Sequence, residues 1–118
     1  MTKTLEQVAE ALLEHGWWQG DYVEPNGDRL CVSGAMGCAW HGDPLWYESH
    51  DERVPDDEVP ILVPLAEAIL AKHPEMTDAG GSPMSLGVQG ALVVLIRWND
   101  LVAERRSQVL DLLRKGTA

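Results

Sequence analysis

The sequence predicts a mainly α protein, with four to five helices packed around a central apolar helix at about 86–98 and one small β-hairpin at about 21–32. Three observations carry the prediction. Apolar residues recur at helical spacing over 5–13 and again over 62–70. The unbroken apolar run Ala91 to Ile96 is flanked by Leu86 and Val88 on one side and Trp98 on the other, over a length that favours a helix rather than a strand. The triplet Pro25-Asn26-Gly27 separates two short segments in the residue order of a hairpin loop. At 118 residues the chain fits a single domain, 1–118.

Each element has its own justification. Leu5, Val8, Ala9, Leu12 and Leu13 form one apolar stripe, so residues 4–15 are expected to be helical. Thr4 and Gln7 have the spacing of a capping box, and Gly16 follows His15 where a helix-ending glycine belongs. Pro25-Asn26-Gly27 reads as a type I turn followed by a left-handed Gly27, pairing about 21–24 with 28–32. Ser33 is expected to cap a helix over about 34–41, and Leu45-Trp46-Tyr47 to add a short turn. Glu48, Asp51, Glu52, Asp56, Asp57 and Glu58 face one Arg53 and two prolines, which predicts a mobile acidic loop over about 48–60. A helix returns over 61–73, with Pro64 in its first turn and Pro74 closing it. A glycine-rich connection over about 75–85 leads to the apolar helix, and a last helix starts between 100 and 107 and ends near 115.

Charge narrows the function classes. The formal net charge is −10, and the segment 97–118 is net basic, so the acidity is concentrated in residues 1–96. Phosphate contacts require the opposite sign, which argues against nucleic acid, and an anionic membrane is disfavoured for the same reason. An acidic surface suits a protein partner with a basic surface, or serves solubility alone as a solvated face. No apolar run approaches the ~18 residues of a membrane span. The start of the chain lacks the apolar core of a signal peptide, and two cysteines without a disulfide framework fit a reducing cytoplasm.

No constellation spells out a reaction. Cys31, Cys38 and His41 are zinc-ligand types, but their spacing matches no common closed site. Cys31 with His15 is a conceivable nucleophile and base, against the plainer reading of a core-facing cysteine. Adjacent acids in a loop are not preorganised for acid–base work, and Gly80-Gly81 lead to no phosphate-loop motif. The expectation is therefore no cofactor, no metal and no catalytic residue.

The residues singled out are structural or adhesive. Gly16, Gly20, Gly27, Cys31, Ser33, Trp98, Asn99 and Asp100 are assigned to the architecture. The clusters Gly16-Trp17-Trp18-Gln19-Gly20 and Trp98-Asn99-Asp100 are expected to meet, with Asn99 and Asp100 either capping the last helix or tying the 16–20 turn to the core. Trp17 and Trp18 are adjacent and diverge, so one is expected inside, while the other either covers the hairpin or stands exposed as an interface anchor. With Glu48, Asp51, Glu52, Asp56, Asp57 and Glu58 they make up the candidate protein-binding set.

These motifs resemble a family of small uncharacterised proteins from actinobacteria and their phages. The shared pattern is a GW-x-x-G turn at 16–20, a glycine-containing hairpin at Asn26-Gly27, Cys31 before the small-residue helix start Ser33-Gly34-Ala35, and Trp98-Asn99-Asp100 before a closing helix. The resemblance covers most of the chain except the acidic stretch near 43–60, and it implies no activity and no catalytic residues. Its phage association implies a small acidic protein acting on a host protein in the host cytoplasm. The leading functional expectation is thus a non-enzymatic protein-interaction module. The alternatives are a small cysteine-dependent enzyme or metal-binding protein using Cys31 with a histidine, and an acidic DNA mimic.

Overall fold

The structure, a computed structural model, describes residues 2–76 and 88–116. The protein is mainly helical. Among the described residues are α1 (Leu5–His15), α2 (Val32–His41), α3 (Trp46–Ser49), α4 (Val59–Lys72), α5 (Val88–Leu101) and α6 (Arg106–Lys115), with a 3-10 turn at Pro74–Met76. The glycine-rich connection expected near 75–85, and the first two residues of the helix expected from 86, fall largely outside the described residues.

Local chemistry explains the helix ends. Gln7 donates its backbone N–H to Thr4 Oγ1 at 3.3 Å, and Thr4 donates its own to Gln7 Oε1 at 2.9 Å, which completes the capping box of α1. Gly16 ends α1 at φ +89°, a backbone conformation that L side chains rarely adopt. A Cβ there would also stand 2.9 Å from Arg29 Cγ. At the far end, Gln108 Oε1 accepts the backbone N–H groups of Glu104 and Arg105 and so starts α6.

Three boundaries differ from expectation. The helix expected from Ser33 begins at Val32, and its cap is Cys31, whose Sγ accepts the Gly34 N–H at 3.3 Å. Ser33 is buried inside the first turn, its Oγ 3.1 Å from that same sulfur. The helix α4 starts at Val59, with Pro60 in its first turn, so Pro64 lies a turn deeper than expected. A proline inside a helix forfeits one backbone hydrogen bond, and burial of Leu62, Leu65, Ala66 and Ile69 offsets that loss. The expected hairpin is reduced to two single-residue bridges that share Leu30, parallel with Trp17 and antiparallel with Val23. Gly27 does not take the left-handed conformation expected of it. It closes a Glu24–Gly27 turn with its N–H on the Glu24 carbonyl at 3.2 Å, a turn position open to glycine at ordinary φ.

The helix α1 packs against α2 and α6, and α5 packs against α4 and α2. Val8, Leu12, Met36, Ile69, Leu95 and Leu112, one or more from each of the five long helices, are fully buried. Burial of this kind contributes about 1.5–3 kcal/mol per large apolar side chain. The α2 start approaches the 21–24 segment closely: a Cβ on Gly34 would stand 1.9 Å from the Tyr22 carbonyl oxygen. That carbonyl accepts the Cys31 N–H at 3.3 Å, so the loop is seated on the helix through backbone groups.

Candidate functional site

The two tryptophan clusters of the sequence meet at Asn99, which lies on the buried side of α5 and is 0% exposed. Its Oδ1 accepts the Trp17 indole N–H at 2.7 Å and the Val32 backbone N–H at 3.1 Å. Its Nδ2 donates to the Trp18 carbonyl at 3.2 Å and to Asp100 Oδ1 at 2.9 Å. An amide has two donors and two acceptor sites, and here all four are used. Asp100 Oδ1 also accepts the Gly20 N–H at 2.9 Å, and Gln19 Nε2 donates to the carbonyls of Asn99 at 3.0 Å and Ala103 at 2.6 Å. The hydrogen bonds of Asn99 and Asp100 thus tie the 16–20 turn and the start of α2 to α5, and neither residue caps α6, whose cap position is Arg105. Trp98 is buried beside them at 1% exposure.

Neither Trp17 nor Trp18 stands free as an anchor. Both are half-buried. Trp17 packs on the core with its N–H on Asn99, and the Arg29 guanidinium lies 4.9 Å from the Trp18 ring centre. Among the described residues, the large apolar side chains that do face solvent are Leu13, Leu45 and Leu101.

The acidic stretch divides into an outer and an inner part. Glu48, Asp51, Asp56 and Asp57 are exposed and Glu52 half-buried. Glu48, Asp51 and Glu52 line a depression of about 440 Å³ with Val93 of α5. Glu48 also borders a second depression of about 300 Å³, shared with Asp21, Tyr22 and the exposed Leu45. Burial, and then the charges of Glu52 and Glu48, push the Tyr22 phenol well above its ordinary range.

Glu58 belongs to the interior, contrary to its expected place on the binding surface. It is 0% exposed at the start of α4. Oε2 accepts from Lys3 Nζ at 2.7 Å and lies 2.6 Å from His41 Nε2, while Oε1 accepts the Tyr47 hydroxyl. A buried carboxylate needs such partners, and the positive end of α4 adds to them. Val54 is buried too, and α4 begins at Val59, so the stretch expected to be a mobile loop carries buried side chains at Val54 and Glu58. The His41 ring stacks on Trp46 at 3.7 Å between centres, and His50 stacks on Trp46 at 4.0 Å. The sequence offered no sign of this cluster, because Lys3, His41, Tyr47 and Glu58 share no motif or spacing.

The cysteines are placed against thiolate chemistry. Cys31 is 3% exposed, and burial pushes its thiol up even though hydrogen bonds from Ser33 and Gly34 act in the other direction. Burial also raises the Cys38 thiol. Among the described residues, no three His, Cys, Asp or Glu side chains are grouped to hold a metal ion. No helix among them is long and apolar enough to cross a membrane.

A family model described as "Family of unknown function (DUF6197)" matches residues 1–118, and the chain belongs to that family. The match includes the 43–60 stretch that the motif resemblance left aside. No curated protein and no solved structure matches the chain.

Proposed function

We propose that this member of the DUF6197 family is a non-enzymatic protein-interaction module that engages a partner with a basic surface through its acidic face. The observation that carries the reading is the grouping of Glu48, Asp51 and Glu52 around one depression, continued past Glu48 by Asp21 and the exposed Leu45. Carboxylates on the outer rim steer and select a basic partner, and an apolar side chain among them supplies contact area that water leaves on binding. The reading keeps Glu48, Asp51, Glu52, Asp56 and Asp57 as binding residues and removes Glu58, whose carboxylate is occupied inside. On this reading the protein works in the cytoplasm, that of the host if a phage encodes it, as the motif resemblance implies. The burial of Cys31, which pushes its thiol up, favours this reading over a cysteine-dependent enzyme.

The test compares the protein with its Glu48→Gln/Asp51→Asn/Glu52→Gln variant as immobilised bait. The expected result is a partner retained at about 50 mM salt and released at about 500 mM, where screening is several-fold stronger. The variant should melt no lower than the parent and retain at least about tenfold less of that partner. Equal retention by bait and variant, or retention indifferent to salt, overturns the acidic-face reading.

A further inference from the structure

Beyond the acidic face, we propose that the depression beside Trp46 is a binding site for a small monocarboxylate with an apolar body, its carboxylate held by Arg53. The depression has a volume of about 370 Å³ and is lined by Trp46, His50, Asp51, Arg53, Val54 and Pro55. Small-molecule sites combine this order of volume with mostly apolar walls and a few placed polar groups. The walls here are fixed. Trp46 is clamped between the rings of His41 and His50, and Val54 is 7% exposed and belongs to the core.

The polar groups determine the ligand class. Arg53 is held at its backbone by an N–H to the His50 carbonyl at 3.1 Å. Its guanidinium has no ion-pair or hydrogen-bond partner among the described residues, although Asp51, Glu52, Asp56 and Asp57 all lie within four positions of it. A guanidinium fork matches a carboxylate with two parallel hydrogen bonds. His50 Nδ1 is 2.7 Å from the Trp46 carbonyl oxygen, which can only accept, so the proton is on Nδ1 and Nε2 is left uncommitted. With Arg53 as its one guanidinium, the lining matches a single carboxylate and offers no second Lys or Arg to a polyanion, so the site favours a monoanion. The backbone between these groups is held in an uncommon shape: Asp51 and Glu52 have φ of +56° and +58°, maintained by N–H bonds to the carbonyls of Glu48 and Tyr47.

The test is a titration of the full chain with sodium benzoate, followed by NMR of the indole N–H and histidine ring signals. Benzyl alcohol serves as the neutral isostere and inorganic phosphate as the polyanion. The expected result is saturable shifts centred on Trp46 and His50 with a millimolar midpoint for benzoate, and at least about tenfold weaker binding of both controls. Arg53→Gln, at an exposed position, should melt as the parent does and bind benzoate at least about tenfold more weakly. No saturation by about 50 mM benzoate, shifts centred on other residues, benzyl alcohol or phosphate binding as well as benzoate, or unchanged benzoate affinity in the Arg53→Gln variant each overturn the proposal.

Discussion

Asn99 shows how one side chain can join distant parts of the chain. Its amide, itself closed to water, links α5 to the 16–20 turn through Trp17 and Trp18 and to the start of α2 through Val32. Removing it leaves an indole N–H, a backbone N–H and a carbonyl without that partner. Each such buried group costs about 1–3 kcal/mol, and the three share one site, so the losses do not simply add. Asn99→Ala is expected to lose about 3 kcal/mol or more in urea unfolding. A variant within about 0.5 kcal/mol of the parent would show that water replaces the amide and that the contact is dispensable. Gly34 is constrained at the same junction for a different reason, since the Tyr22 carbonyl occupies the space a Cβ would need.

At the scale of elements, Glu58 draws together α2, α3, α4 and the segment before α1. Its partners respond to alkali in a defined direction. Burial alone would lower the Lys3 ammonium, but hydrogen bonds to Glu58 and Asp57 outweigh it and hold Lys3 above its ordinary value. Burial, and then the hydrogen bond to Glu58, pushes the Tyr47 phenol far up. Both groups therefore have folded values above their unfolded ones, near about 10. Their stabilisation is fully present below the unfolded values and is lost as pH rises through the folded ones. Stability is thus expected to decline above about pH 10. Tyr47→Phe should be less stable at neutral pH by about 1–3 kcal/mol, because Glu58 keeps its burial and loses a donor, and its alkaline decline should be shallower. Thermal melts of both proteins from neutral pH into alkali decide this, and parallel pH curves would assign the decline to Lys3 or other groups.

Over the whole molecule, a net charge of −10 on 118 residues opposes compaction. Ion pairs between elements work against it. Arg114 pairs with Glu6 through two hydrogen bonds, at 2.9 and 2.8 Å, tying α6 to α1, and Lys3 pairs with Asp57 and Glu58. The outer carboxylates Glu48 and Glu52 line one depression and repel each other. Added sodium chloride should therefore raise the melting temperature, by about 2–4 °C for each 0.5–1 kcal/mol of repulsion screened. The Glu48→Gln/Asp51→Asn/Glu52→Gln variant should show a smaller rise. A melting temperature that falls with salt would mean that ion pairs outweigh the repulsion.

What the residues determine by themselves is what acts over three or four positions. The apolar stripe of α1, its Thr4–Gln7 capping box and its end at Gly16 are all legible, because stripe, cap and stop are set by near neighbours. The helical nature of the 91–96 run and the range for the start of α6 follow from the same kind of information. The unusual residues at 16–20 and 98–100 could be picked out, and the idea that they meet was open to inference. Which atoms pair was decided only in three dimensions. Cys31 rather than Ser33 caps α2 because the loop carrying Tyr22 seats the cysteine on the helix start. Glu58 lies inside while Asp57 beside it stays exposed, because Lys3, His41 and Tyr47 converge on one carboxylate from up to 55 positions away. Formal charge counts what a stretch carries, whereas burial of a charge depends on whether distant partners arrive to solvate it, and that is a property of the fold.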